Sequence, residues 1–460
     1  VHRRPKVRGR ASDHAHLAPF ADLERIAERV LKLSEADESE VSLDATAEGL
    51  TRFANNAIHQ HVAERSVNIS VRVVVDGRTA RATTNKADDD SLRRTLAAAM
   101  SLARSQPKNP NLLPMPGAQR YPQLRRFFPD TFAVTPADRA RIVKQAVQRC
   151  AKADQTAAGT FSTGGARSLL ANSKGLIARY EHTRAEFSIT VMEADSSGWA
   201  KANAASLADI DPLALAERAR EKAASSRQPR EISPGKYTVI LEPAAALDII
   251  GFLYYDFSAT AVADQRSCFT KRLGQRLFGE HITLCDDVSH PLQLGIPFDG
   301  EGLPRKKVVL IDRGVPRHLV YSRAAAKKAG VKPTGHGLAL PNEWGEAAFH
   351  LVMHGGDSPI EKMVACTERG IYVTRLWYIR EVDPYEKIMT GMTRDGTFLI
   401  EDGRIVCGIR NMRFNQSILE LLANVVELGP AVRSSGEEAF DMVVPPMKVR
   451  DFHFTEVTKF

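Results

Sequence analysis

The feature that most limits what this chain can fold into is the run at residues 67–75, Val67-Asn-Ile-Ser-Val-Arg-Val-Val-Val75. Side chains branched at Cβ keep their rotamer freedom in a pleated strand and lose it in a helix, so the run predicts a strand. It ends at Asp76-Gly77, a dipeptide suited to the left-handed positions of a type I′ turn. Residues 78–84 then read as the return strand. A tight hairpin of this kind places an antiparallel sheet early in the chain.

Helical spacing surrounds it. Leu23, Ile26, Ala27, Val30 and Leu31 share one face of a helix at residues 22–33, and Leu92, Leu96, Met100 and Ala103 share one at 91–103. Residues 105–117 carry four prolines and a glycine, which neither a helix nor a central strand accepts. A helix is expected at 136–153, alternating strand-like segments between 160 and 205, and a helix at 214–225. A strand at 237–241 leads into a helix at 244–256. Short strands follow, with turns at Asp299-Gly300, Asp312 to Gly314, Asp395-Gly396 and Asp402-Gly403, interrupted by helices at 323–329 and 418–428. At about 100–200 residues per domain, 460 residues hold two or three domains. The sections are a disordered basic tail at 1–17, an N-terminal α/β domain at 18–135, a middle α+β section at 136–231, and a C-terminal domain at 232–460 built on a mostly antiparallel sheet. The class is α+β.

The net charge of +8 suggests nucleic acid, but the first ten residues alone hold five Lys/Arg and no acid. Elsewhere the charges are mixed and no basic stripe is interleaved with aromatics, which argues against nucleic-acid binding. No apolar run reaches the roughly 18–20 residues a membrane span needs, so no membrane association is expected. The cysteines Cys150, Cys268, Cys285, Cys366 and Cys407 are odd in number and scattered. That pattern fits a reducing compartment, and a cytoplasmic location is expected.

Common catalytic motifs are absent: no H-E-x-x-H, G-x-S-x-G, Walker A or Rossmann glycine pattern occurs. His350 and His354 have the i, i+4 spacing of helical zinc ligands, but no adjacent Glu could act as base, and the segment reads better as a strand with two ordinary histidines. His59 and His61 lack a third ligand. Cys366 sits on an expected amphipathic helix capped by Gly370 and should be buried. Asp286 and Asp287 suit acid–base or Mg²⁺ chemistry, yet more simply end a strand. Residues 375–380 place Arg375, Trp377 and Ile379 on one strand face, and Leu376, Tyr378 and Arg380 on the other. That mixture fits a binding surface or an aromatic core strand equally well.

Several segments in order resemble the TldD/PmbA protease family. Arg52-Phe-Ala-Asn-Asn-Ala-Ile-His-Gln60 and residues 70–80 resemble its N-terminal signature. Residues 269–279, 299–304, 309–314, Pro333-Thr-Gly-His336, Gly355-Gly-Asp-Ser-Pro359, 370–374 and 396–403 resemble later segments. The resemblance implies an N-terminal α/β section and a large curved sheet domain. It also implies a dimer, with itself or with a related chain, that acts on unfolded peptides. In the family one subunit carries H-E-x-x-x-H on a helix and a distant Cys, which hold zinc. Here the matching helix reads Leu247-Asp-Ile-Ile-Gly-Phe-Leu-Tyr-Tyr-Asp-Phe257, without His, and residues 439–446 lack the Cys. The chain therefore resembles the PmbA (TldE) side of the family. No cofactor is expected in this chain, and zinc only in a TldD-like partner. Tyr254, Tyr255, Asp256, Arg375, Trp377 and Tyr378 are the candidate cleft residues, with no metal ligands among them. The alternatives are a stand-alone peptide-binding module, or an enzyme using Tyr254, Tyr255 and Asp256 for new acid–base chemistry.

Overall fold

The structure, a computed structural model, describes residues 17–458. The basic tail expected at 1–17 lies outside these residues except for Leu17, which is buried in the core beneath the first helix.

The expected hairpin is present and belongs to a larger sheet. Strands β1 (Glu38–Ala54), β2 (Ala57–Val75), β3 (Arg78–Thr84), β4 (Thr156–Asn172), β5 (Ile177–Met192) and β6 (Ser197–Ala204) form one six-stranded sheet in the order β3-β2-β1-β4-β5-β6. Each neighbouring pair is antiparallel. The turn between β1 and β2 is made by Asn55 and Asn56 at φ 49° and 60°, the left-handed pair that a type I′ turn needs. The boundary drawn near residue 135 therefore falls between strands of one continuous sheet, because β1 pairs with β4 across it.

Helices α1 (Phe20–Leu33), α2 (Asp89–Ser105), α3 (Pro129–Phe132), α4 (Pro136–Ala151) and α5 (Pro212–Ser225) accompany this sheet. Odd-numbered strand residues meet the helices: Val41, Leu43, Ala45 and Leu169 pack with α1 and α2, and Phe161, Phe187 and Ile189 with α4 and α5. Because strand side chains alternate, the even-numbered set, including Glu40, Ser42, Asp44, Ser168, Leu170 and His182, points to the opposite face. There Leu170, Ala178 and Tyr180 pack against Phe298 from the C-terminal section. The second face is thus covered there by the C-terminal section, while Glu48, Arg52, Glu64, Ser66 and Asn68 farther along it are exposed.

The C-terminal section begins with β7 (Gly235–Leu241) and α6 (Pro243–Ile250), and continues through β8 (Leu284–Asp286), β9 (Val308–Asp312), β10 (Val315–Pro316), β11 (Leu351–Met353), β12 (Arg369–Val373) and β13 (Leu376–Asp383). Its strands make a nine-stranded and a six-stranded sheet. Both are mostly antiparallel, with the β7–β12 and β11–Met442–Val444 pairs parallel. The larger sheet curls strongly into a half-barrel, and the whole is a mixed α+β fold. Its core gathers α6 and both sheets, from Val239 and Leu247 to Phe454.

Local differences from the sequence reading have identifiable causes. The helix expected at 244–256 ends at Ile250 and tightens into a 3₁₀ turn at Gly251–Tyr254. The stretch expected as helix at 418–428 is helical only over Ile418–Ala423. The β-branched pair Val425-Val426 turns it into a strand on Met447–Val457. Gly370 is no helix cap. It lies in β12, where a Cβ would stand 2.7 Å from the Thr238 carbonyl of the neighbouring strand. Cys366 follows the short helix Ile360–Ala365 and is exposed rather than buried.

Candidate functional site

The two segments in which the resemblance places the missing ligands meet in space. Gly251, at the end of α6, approaches residue 439 so closely that a Cβ on it would lie 2.5 Å from the Ala439 Cβ. One turn earlier, Asp248 accepts hydrogen bonds from the backbone N–H groups of Glu437 and Glu438 at 3.1 and 3.0 Å. These bonds pin the C-terminal segment onto the helix.

Aromatic rings occupy the space beside this junction. Tyr254 stacks on Phe349, with centroids 5.5 Å apart, and meets Phe440 edge-on at 5.3 Å. Phe349 and Phe440 meet at 5.0 Å, and Tyr255 packs edge-on against Trp344 at 5.1 Å. The Tyr255 hydroxyl donates to the Trp344 carbonyl at 3.2 Å. Trp344 and Phe440 are 57% and 54% exposed, so the cluster is open to the surface and presents aromatic faces to whatever enters. A zinc ion does not fit here: these are not ligand side chains, and among the described residues no three His, Cys, Asp or Glu stand together closely enough to hold a metal.

Asp256 is placed elsewhere. It is buried, pairs with Lys387 at 2.5 Å and accepts from the Cys268 N–H at 2.9 Å. Burial pushes its carboxyl above the ordinary range, against the pull of Lys387. It is a structural ion pair, apart from the ring contacts that Tyr254 and Tyr255 make. Asp248 was overlooked in the sequence. It is wholly buried, its Oδ2 has no partner, and burial pushes its pKa up to about 7 despite the two backbone donors. An acid inside an apolar helical stretch was the available signal.

The strand at 375–380 resolves into a mixture of the two readings. Its alternation breaks at a bulge between Trp377 and Arg380, where Tyr378 adopts φ 55°. Leu376 and Ile379 are therefore both buried, and Tyr378 is exposed. The guanidinium of Arg375 lies between Trp199 and Trp377, 4.6 and 4.8 Å from their ring centroids, and pairs with Asp395 at 2.5 Å. The backbone N–H groups of Tyr378 and Ile379 donate to Glu438 at 2.6 and 3.2 Å. This strand is thereby tied to the same C-terminal segment as α6.

A second constellation was also overlooked. Asp286 ends β8 and is fully buried, not an ordinary turn residue. It accepts from the His350 N–H at 2.9 Å, and its Oδ1 lies 3.0 Å from Nε2 of His336 and 3.9 Å from Nδ1 of His350. Burial opposes its charge, but His336, His350 and Arg305 outweigh burial and hold it below the usual carboxylate range. Burial and Arg305 drive His350 down to about 3, so its ring is neutral. His354 flanks β11 on the other side, is exposed, and stands 3.8 Å from the Cys285 thiol. His59 and His61 are exposed on β2.

Comparison with known proteins agrees with this fold. The PmbA/TldA metallopeptidase C-terminal domain model matches residues 234–456, the domain 1 model residues 39–103 and the central domain model residues 129–227. Metalloprotease PmbA of Escherichia coli O157:H7 is 23% identical over 402 residues, covering 83% of this chain and 85% of that protein. A metalloprotease TldD homolog of Buchnera aphidicola is 26% identical over 225 residues, covering 47% and 44% of the two chains. The crystal structure of TldE from Thermococcus kodakarensis superposes with a TM-score of 0.84 at 19% identity, covering 94% of this chain and all of that one. The class is that of metallopeptidase-like proteins with a half-barrel domain. Within it, the chain belongs to the PmbA/TldD family.

Proposed function

We propose that this chain is the non-metal subunit of a PmbA/TldD-type peptidase acting on unfolded peptides in the cytoplasm. Its partner is a zinc-bearing TldD-like chain, and zinc belongs to that partner alone. The observation that carries the reading is the aromatic cluster of Tyr254, Phe349 and Phe440 beside the Gly251–Ala439 contact, where the family resemblance leads one to look for ligands. Open aromatic faces suit the side chains of an extended peptide, and a strand edge can add its backbone. Hydrolysis would then depend on the partner's metal, with this chain helping to enclose the substrate.

The test compares the purified chain with its complex with an H-E-x-x-x-H relative. Alone, the chain should carry no stoichiometric zinc and cleave no unfolded peptide; the complex should carry zinc and cleave the peptide. A homomeric preparation that holds stoichiometric zinc and hydrolyses peptide overturns the proposal. Peptide affinity without any complex would point instead to a stand-alone binding module.

A further inference from the structure

A cavity of about 470 Å³ lies between the second face of the N-terminal sheet and the C-terminal section. The sheet supplies Glu40, Asp44, Ser168 and His182; the C-terminal section supplies Arg305 and His350. Its size falls within the roughly 300–1,000 Å³ typical of small-molecule sites. Phe349, which stacks on Tyr254, also lines it, so this ring forms a wall shared with the aromatic cleft.

The polar groups around it do not balance. The acids that line it, Glu40, Asp44 and Asp299, are already committed. Glu40 pairs with Arg81 at 2.7 Å and with Arg72 at 3.6 Å. Asp44 accepts from the Ser168 hydroxyl at 2.6 Å. Asp299 accepts three backbone N–H bonds, from Glu301, Leu303 and Gly337. Behind the lining, Oδ2 of Asp286 accepts the His350 backbone N–H; its Oδ1, 3.0 Å from Nε2 of His336 and 3.9 Å from Nδ1 of His350, makes no hydrogen bond, and its charge acts on Arg305. The nitrogens are not committed. Nε and Nη1 of Arg305, Nδ1 of His350 and Nδ1 of His182 are all sealed from solvent, and none has a hydrogen-bond partner.

A buried guanidinium without acceptors is costly, since its desolvation is not repaid by hydrogen bonds. A planar oxyanion answers the fork of an arginine with two parallel bonds. A cation is a poor candidate, because Arg305 would repel it. Burial drives His182 down to about 4, with Arg184 and Arg126 adding to the effect, so it stands neutral in the cavity that Arg305 also lines. A neutral imidazole can still donate one N–H.

We propose that this cavity binds a small ligand through an oxyanion group, a carboxylate or a phosphate monoester, held by Arg305, His350 and His182. The site is independent of the subunit arrangement proposed above. Titrating the folded full chain with succinate and, separately, with inorganic phosphate tests it. Calorimetry reads the affinity, and the imidazole signals of His182 and His350 report the location.

One of the two anions should bind with a single-site isotherm and move both imidazole signals; which one does so identifies the ligand chemistry. Arg305→Gln should weaken that binding by about tenfold or more, the order expected for losing a charge-assisted pair. If Arg305→Gln does not fold, His182→Gln on the sheet side of the cavity takes its place and should weaken binding in the same direction. Unmoved imidazole signals with both anions, or an affinity unchanged in the folded variant, overturns the proposal and leaves the cavity to water.

Discussion

Nε2 of His336 lies 3.0 Å from Oδ1 of Asp286, and neither side chain is exposed. Nδ1 of the same ring reaches the Thr334 carbonyl at 3.0 Å, so the imidazole is held at both ends. The pair joins the strand end at β8 to the Pro333-Thr-Gly-His336 segment, at the floor of the second constellation.

Breaking this pair should be expensive. Asp286→Asn removes a buried counter-charge of Arg305, and a loss of about 3–5 kcal/mol is expected from urea denaturation at neutral pH. The acid dependence should change too. The folded-state pKa of Asp286 is depressed, so its contribution is present above the unfolded value near 4 and is lost as pH falls toward the folded value. The variant should therefore lose less stability than the parent when pH is lowered below about 4. Equal acid slopes in the two proteins would refute the pairing.

Asp248 should behave in the opposite sense. Its folded-state pKa is raised to about 7, so the native protein binds more protons than the unfolded chain between about pH 4 and 7, and this group lowers stability as pH rises through that window. Asp248→Asn keeps an oxygen for the Glu437 and Glu438 N–H groups. The variant should gain on the parent as pH rises from 5 (about one unit above the unfolded value) to 8 (about one unit above the folded value). A stability difference that stays constant over that range would show that Asp248 does not titrate there.

The contact between α6 and the C-terminal segment leaves no room at Gly251. Gly251→Ala adds a methyl 2.5 Å from the Ala439 Cβ, so the two segments must part. Overpacking of this kind costs about 1–3 kcal/mol, more than the helix propensity an alanine adds. Thermal unfolding should show a lower midpoint, and the double variant Gly251→Ala with Ala439→Gly should recover much of it. No recovery would place the strain elsewhere.

The thiols should divide by exposure. Cys366 is exposed and Cys407 half-buried, while Cys150, Cys268 and Cys285 are buried. Burial pushes the thiols of Cys150 and Cys285 up, and burial with Asp256 does the same for Cys268. The thiolate is the reactive form, so alkylation of the native protein should mark Cys366 first and the three buried thiols only after unfolding. Peptide mass mapping after a short pulse of iodoacetamide reads this directly, and early labelling of Cys268 would contradict the packing around Asp256.

Local signals were legible where a residue's own chemistry decides its conformation. The β-branched run and Asp76-Gly77 announced the hairpin, and Pro136 and Pro212 open helices close to the expected positions. The helix at 323–329 fell where its spacing put it. Ordered segments from 52 to 403 were enough to suggest the family, and the missing His and Cys could be read directly. The Asn55-Asn56 turn had an equally local signal that went unread, since asparagine tolerates the left-handed region better than most residues.

What the tertiary structure decided is everything that depends on pairing across long separations. β1 pairs with β4 over more than a hundred residues, so a proline-rich linker between them could look like a domain boundary and yet cross one sheet. Asp286, His336 and His350 carry no shared spacing, and only the packing of three loops and strand ends brings them to one buried point. Likewise Gly251 and Ala439 are neighbours because α6 and the chain's last segments share a core, and Tyr254 parts from Asp256 because a 3₁₀ turn rotates consecutive residues toward different partners. Sequence by itself determined the local conformations and the absence of the metal motif. The burial that orphans the nitrogens of Arg305, and the faces that close around them, arise only when the two halves of the fold meet, because desolvation depends on what covers a side chain and not on which residues precede it.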